Sequence, residues 1–271
     1  MPHCDLTLPL LRALLPDLKT QRFGREVRAY RTVGSTNSIA ASWAAQSAPE
    51  GSLVLAEYQT QGRGRRGRVW DAPMGLNLTF SLVLRPKIHP ERLGLVNMAA
   101  GIAVAEAVTA FSTPCSARLK WPNDIFLEGK KCCGILLEST LSGLTGPHSL
   151  ILGIGLNVNQ GTFPPDIAHK ATSLLLETGR HVPRAPLLAE VLRRMEVWYN
   201  TLTEDAGAAI LEKYRSLLVG LGESIVLYHS GSSSPIRGTF VEVNECGALV
   251  LRTVDGMRAF YAGEVTAAAP F

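Results

Sequence analysis

Residues 57–70 read Glu57-Tyr58-Gln59-Thr60-Gln61-Gly62-Arg63-Gly64-Arg65-Arg66-Gly67-Arg68-Val69-Trp70. The compact apolar run 53–58 just before it predicts a strand, and residues 76–84 (LNLTFSLVL), ending at Arg85-Pro86, predict another. The Gly/Arg stretch is therefore a loop between strands. Glycine lets a backbone approach a ligand closely and take positive φ, while guanidinium groups offer forked donors to phosphate and carboxylate oxygens. Together they suit an anion that must be wrapped. The other readings are a solvated basic loop or an RGG-like nucleic-acid segment. RGG segments, however, repeat in disordered surroundings, and this stretch occurs once between strands. It is not a Walker loop, because the Lys-Ser/Thr pair is missing. With no acid within 63–68 and little apolar surface, the loop is expected to be mobile until a ligand orders it.

Working outward, residues 26–33 read as a strand that runs into Gly34-Ser35-Thr36-Asn37. There a hydroxyl residue precedes an Ala-rich helix, the usual N-cap signature. Residues 90–111 have the apolar density of a long buried helix. Strands are expected at 117–121, 125–128 and 131–138, the last two joined by a tight Gly129-Lys130 turn, and again at the glycine-rich run 150–158. From 186 to 218 the period becomes helical, with Leu188, Val191, Leu192, Met195 and Trp198 on one face. After Gly220, short β runs at 225–228, 236–243, 248–252 and 258–261 imply a small barrel of SH3-like size. Near the N-terminus, 6–20 reads as one short helix and 19–25 as a polar linker. The expected organisation is an extension (1–25), a mixed α/β domain (26–218) and a β module (221–271).

The chain has 271 residues, 46% hydrophobic and 18% charged, which places it among folded globular proteins rather than disordered ones. A net charge of +4 is too small for nucleic-acid binding by the whole surface. Five cysteines without a C-x-x-C pair, and histidines never spaced i, i+4, indicate neither a zinc site nor a disulfide framework. A reducing compartment, the cytoplasm, is expected. The N-terminus makes a poor signal peptide, and the apolar run 93–111 is broken by Asn97 and Glu106, so no membrane span is expected.

Two further motifs carry chemistry. Lys120-Trp121-Pro122-Asn123-Asp124 reads alone as an ordinary turn. The hairpin from Asn123 to Lys131, however, would return a lysine to the sheet end that holds an amide and a carboxylate. There the lysine can neutralise a phosphoryl group, and the carboxylate can hold Mg²⁺ or orient a nucleophile. In Gly153-Ile154-Gly155-Leu156-Asn157-Val158-Asn159 the glycines allow close packing. Asn157 offers the donor and acceptor that an adenine edge requires.

GSTN, EYQTQGRGRRGRVW, KWPNDI, KKCCGILLE and GIGLNVN, in this order, resemble the biotin protein ligases from about residue 28 to the C-terminus. The resemblance implies an α+β fold: a mixed β-sheet flanked by helices, related to class II aminoacyl-tRNA synthetase cores, with a C-terminal SH3-like β-barrel. It implies adenylation of biotin by ATP with Mg²⁺, then transfer to a lysine of a biotin carboxyl carrier protein of a carboxylase. Ser35, Thr36, Asn37, Gln59, Arg63, Gly64, Arg65, Lys131 and Gly134 match the family's biotin-contacting positions. Arg65, Arg68, Trp70, Asn123, Lys131 and Asn157 match its ATP side, with Arg65, Lys131 and Asp124 in catalytic roles and Asp124 as a metal ligand. Cys132 and Cys133, in a place usually small or apolar, are read as packing residues. About 25 leading residues are too few for a winged helix-turn-helix, so no sequence-specific DNA binding is expected, and the enzyme is expected to be a monomer or homodimer. The alternatives are a lipoate-type ligase, which lacks the GRGRRGR and KWPND pair, and a nucleic-acid-binding module using the Gly/Arg loop, which leaves KWPND and GIGLNVN without a job.

Overall fold

The computed structural model describes residues 4–5, 7–140, 149–204, 207–229 and 234–267. A seven-stranded mixed sheet dominates. It is formed by β1 (Val27–Val33), β2 (Leu53–Gln59), β3 (Leu78–Leu84), β4 (Ala117–Lys120), β5 (Asp124–Leu127), β6 (Lys130–Thr140) and β7 (Ser149–Leu156). The order is β1-β2-β3-β7-β6-β5-β4. Only β1 and β2 run parallel, joined by α2 (Thr36–Ala45) as the crossover; every other pair is antiparallel.

The two faces of this sheet have different fates. On one, Leu150, Leu152, Ile154 and Leu156 of β7 join the main core beneath α3 (Gly94–Ser112). α5 (Arg184–Glu204) and α6 (Ala208–Leu217) pack in turn on α3. α3 is long and apolar enough by composition to cross a membrane, but its apolar sides face this core. On the other face, Val54, Ala56, Val83 and Ile151 meet α2, and the sheet beyond them carries glycines. That bare area becomes the site.

The expected elements form within a few residues of their sequence boundaries. α1 (Pro9–Asp17) buries Leu10, Leu11 and Leu14 and packs on α5. The polar stretch after it is tied to the same helix, since the backbone N–H groups of Gln21, Arg22 and Phe23 all donate to the Glu196 carboxylate. α4 (Leu174–Thr178) and the last strand were not foreseen; α4 is one short turn capped by the Ser173 hydroxyl.

The second sheet comprises β8 (Ser224–Tyr228), β9 (Ile236–Val243), β10 (Leu249–Thr253), β11 (Gly256–Phe260) and β12 (Glu264–Ala267), in the order β11-β10-β9-β8-β12, all antiparallel. Among the described residues the series is open, with no pairing of β11 to β12. Its β9–β10 turn docks on the first sheet, where the indole N–H of Trp121 donates to the Gly247 carbonyl at 3.1 Å.

One charged residue lies in the otherwise uncharged α3. Glu106 accepts from Arg194 (2.7 Å) and Trp198 (3.1 Å) and pairs with Lys213 at 3.2 Å. Burial alone would push its carboxyl up, but the three donors together outweigh this and hold it below the usual glutamate range. Its contribution is therefore present above the unfolded pKa and lost as pH falls through the lower folded value. Glu106→Gln should cost about 2 kcal/mol of unfolding free energy at neutral pH. In urea unfolding, the gap between wild type and variant should shrink toward low pH; a gap independent of pH contradicts this account.

Candidate functional site

At the start of α2 the N-cap residue is Ser35, but its hydroxyl makes no capping bond. The sequence expectation of a hydroxyl cap fails because Gln59 takes that role from the end of β2. Its Oε1 accepts from the Thr36 backbone N–H at 2.7 Å and from the Thr36 hydroxyl at 3.0 Å. Ser81 of β3 lies 2.8 Å from Thr36 Oγ1 and 2.6 Å from Asn37 Oδ1. Asn37 in turn donates to Glu138 at 2.6 Å. Thr36, Asn37 and Ser81 are all buried, so a polar chain runs under one end of the site.

The floor is made of glycine. Gly153 and Gly155 of β7 lie on the sheet face that α2 covers, and Gly134 of β6 pairs with Gly155. A Cβ on Gly153 would meet Asn37 Oδ1 at 2.2 Å, and one on Gly155 would meet the Trp70 indole at 2.3 Å. Only glycine leaves room for these two side chains, a role that the sequence reading of close packing anticipates.

Trp70 ends the Gly/Arg stretch. The stretch itself is a narrow hairpin. Gly64 N–H donates to Arg68 C=O (2.7 Å) and Trp70 N–H to Gly62 C=O (3.0 Å), closed by a turn at Arg65–Gly67 in which Arg66 and Gly67 take positive φ. Each arginine has a partner. Arg63 donates to Ser38 (3.0 Å) and lies 3.5 Å from Glu138; Arg65 donates to Asn123 Oδ1 (3.0 Å). Arg66 donates to the Tyr228 carbonyl and Arg68 to Glu264, both on the second sheet. Burial, the largest influence, lowers the Arg65 pKa, and Asp124 opposes it.

Asn123 and Asp124 reach this hairpin through a second one. The two-residue turn is Glu128-Gly129, both at positive φ, one position earlier than the sequence expectation, and Lys130 already pairs with Leu127. The register then slips so that Phe126 faces Lys131 while Ile125 faces Cys133. This bulge puts Lys131 and Gly134, three residues apart, on one face, which strict alternation forbids. Lys131 Nζ thereby lies 2.7 Å from Asp124 Oδ1 and 5.9 Å from the centre of the Trp70 ring. Asn123 replaces a ladder partner, donating from Nδ2 to Ile135 C=O at 2.8 Å. Cys132 and Cys133 are buried in the main core, and burial pushes the Cys132 thiol up to about 12, so both act as small apolar residues.

These residues surround one cavity of about 910 Å³. Ser35, Thr36, Asn37, Gln59, Arg63, Gly64, Arg65, Arg68, Trp70, Asn123, Asp124, Lys131, Gly134 and Asn157 all line it, so the structure brings every sequence-selected position together. Asn157 is already committed on one side, its amide donating to Thr172 C=O at 3.0 Å. The sequence reading missed Lys120, which also lines the cavity and whose pKa is lowered mainly by burial, with Asp124 and Glu264 opposing. It also missed the wall supplied from within 160–170 and the rim at 263–265. KWPND contains Lys120 outright. The rim carries no local signal, because its contacts join residues almost two hundred positions apart. Among the described residues no group of three His, Cys, Asp or Glu side chains is placed to hold a metal.

The family model for biotin/lipoate A/B protein ligases matches residues 29–157. A biotin–[acetyl-CoA-carboxylase] ligase of Paracoccus denitrificans is 35% identical over 223 residues, covering 78% of this chain and 88% of that protein. The bifunctional ligase/repressor BirA of Bacillus spizizenii is 32% identical over 254 residues, covering 92% of this chain and 76% of the relative. The chain belongs to the biotin/lipoate A/B protein ligase family. The fold agrees: the Aquifex aeolicus biotin protein ligase, solved in complex with biotin and ATP, superposes with a TM-score of 0.77 at 31% identity. That match covers 89% of this chain and 98% of that one. The mixed sheet flanked by helices is thus the family's architecture.

The glycine floor makes a prediction independent of ligand. Gly155→Ala should displace the Trp70 indole and loosen the Gly/Arg hairpin, so trypsin should cleave within 63–68 several-fold faster than in wild type at an unchanged melting temperature. An unchanged cleavage rate shows that Trp70 does not hold the hairpin down.

Proposed function

We propose that this chain attaches biotin to proteins: it activates biotin with ATP to biotinyl-5′-AMP and transfers the biotinyl group to a lysine of a biotin carboxyl carrier domain. The observation that carries the proposal is a single cavity with two unlike ends. One end has the buried Ser35, Thr36 and Asn37 with the half-buried amide of Gln59; the other has cations (Arg65, Arg68, Lys120 and Lys131), with Trp70 between.

A ureido ring presents two N–H donors and one carbonyl, which need buried polar partners such as the first end supplies. In the first step a carboxylate oxygen of biotin attacks the α-phosphorus, forming an acyl–phosphate bond as the bond to pyrophosphate breaks. Two anions must meet, and Arg65 and Lys131 supply the countercharge from partly buried positions. In the second step the carrier lysine's neutral amine attacks the acyl carbon; AMP departs and the amine loses a proton. Neither step needs a protein nucleophile, so catalysis is positioning and charge compensation. Mg²⁺ would screen the triphosphate, with the Asp124 carboxylate, which lines the cavity and pairs with Lys131 at 2.7 Å, as its protein ligand. One carboxylate suffices because Mg²⁺ takes most of its other ligands from phosphate and water. The second sheet reads as an SH3-like module that closes the phosphate end through Arg68 and Glu264, and the described cysteines, all free thiols, suit a reducing compartment such as the cytoplasm.

Purified protein should catalyse ATP–pyrophosphate exchange with biotin and not with lipoate; equal exchange with lipoate would overturn the substrate assignment. Lys131→Ala should slow adenylation at least about a hundredfold, the usual loss on removing one transition-state donor. Near-normal adenylate formation would reassign Lys131 to a structural role.

A further inference from the structure

We infer that Glu138, which stands outside the cavity, is a positioning residue that sets the direction of the hydrogen bonds at the ring-binding end and thereby makes that end an acceptor for biotin's N–H groups. The inference rests on the functional reading above. Glu138 lies on β6 opposite Ile151, on the same sheet face as Gly134. Its carboxylate receives the Asn37 amide at 2.6 Å and lies 3.5 Å from the Arg63 guanidinium.

An ionised carboxylate can only accept, so Asn37 must turn its NH₂ toward Glu138 and its Oδ1 toward Ser81. Ser81, 2.6 Å from that oxygen, must spend its one proton there. At the 2.8 Å contact between Ser81 and Thr36, Ser81 is then left as acceptor. The Thr36 proton therefore goes to Ser81 or to Gln59 Oε1 at 3.0 Å, and in either case it is spent within the protein. Lone pairs of Thr36 are what remain for the ligand. A single charge at the end of the chain fixes the polarity of each link, and the outcome suits a ligand that donates from ring N–H groups. The same carboxylate anchors Arg63 of the hairpin, so the ring pocket and the loop share one support.

Glutamine at this position keeps the shape but presents either an oxygen or an NH₂, which removes the directional constraint. Titration of biotin into the full chain without ATP, followed by exchange kinetics, tests this. Glu138→Gln should bind biotin roughly tenfold more weakly, the usual scale for one misdirected buried hydrogen bond. The KM for ATP should stay within about twofold, since uniform damage to the site would move both constants. Ser81→Ala interrupts the same chain one link further on; it should weaken biotin binding by a similar factor and serves as the test if Glu138→Gln does not fold. Wild-type affinity for biotin in a folded Glu138→Gln or Ser81→Ala protein overturns the inference, as does an equal rise in both KM values. Failure of the wild-type chain to bind biotin instead overturns the functional reading, and this inference with it.

Discussion

The missing Cβ atoms of Gly153 and Gly155 are the constraint on which the site depends. Any side chain at either position would collide with Asn37 or with Trp70. These two residues are the landmarks of the two ends: Asn37 belongs to the polar chain under α2, and Trp70 lies against Lys131 in the cationic half. Both glycines sit on one face of one strand, two positions apart, so a single β-strand sets the spacing between the ends. The opposite face of the same strand, Leu152, Ile154 and Leu156, is locked into the main core beneath α3. The floor is therefore rigid, as a site that works by positioning requires.

On this floor the Gly/Arg hairpin acts as the connector. Its four arginines reach Ser38 on α2, Asn123 beside β5, and Tyr228 and Glu264 on the second sheet. Mutual repulsion is thereby offset by partners from three separate parts of the fold. Most of these pairs are partly exposed, so each contributes little to stability. They are better understood as a set of exchangeable contacts: an anion entering the cavity competes for the same guanidinium groups and gives them a stronger partner.

Much of this was legible in the sequence because the signals are local. Hydrophobic alternation, the turn residues and the change of period at 186 locate the strands and helices to within a few positions. The motif residues were recognisable only in combination, because the Gly/Arg stretch alone also fits a solvated basic loop and KWPND alone an ordinary turn. Other features were not legible because they arise from register or from distant pairing. The bulge that turns Lys131 to the face of Gly134 leaves no mark in KKCCG, where strict alternation would place the two on opposite faces. Gln59 displacing Ser35 as the cap, and Glu264 meeting Arg68, join segments whose separation the chain alone does not reveal. Glu138 lay within a quoted motif and read as an ordinary strand end, since its significance lies in what it accepts from Asn37 and Arg63.

On the proposed reading one cavity holds both reactants at once, with the hairpin joining its two ends. Comparing the affinities of biotin and of a non-hydrolysable biotinyl-adenylate analogue by calorimetry tests this most directly. If the two ends are preorganised at the correct spacing, the linked compound gains the second end's contacts as an intramolecular event and should bind at least about a hundredfold more tightly than biotin. An analogue that binds no more tightly than biotin would contradict the account, because the ring pocket and the cationic end would then not belong to one site.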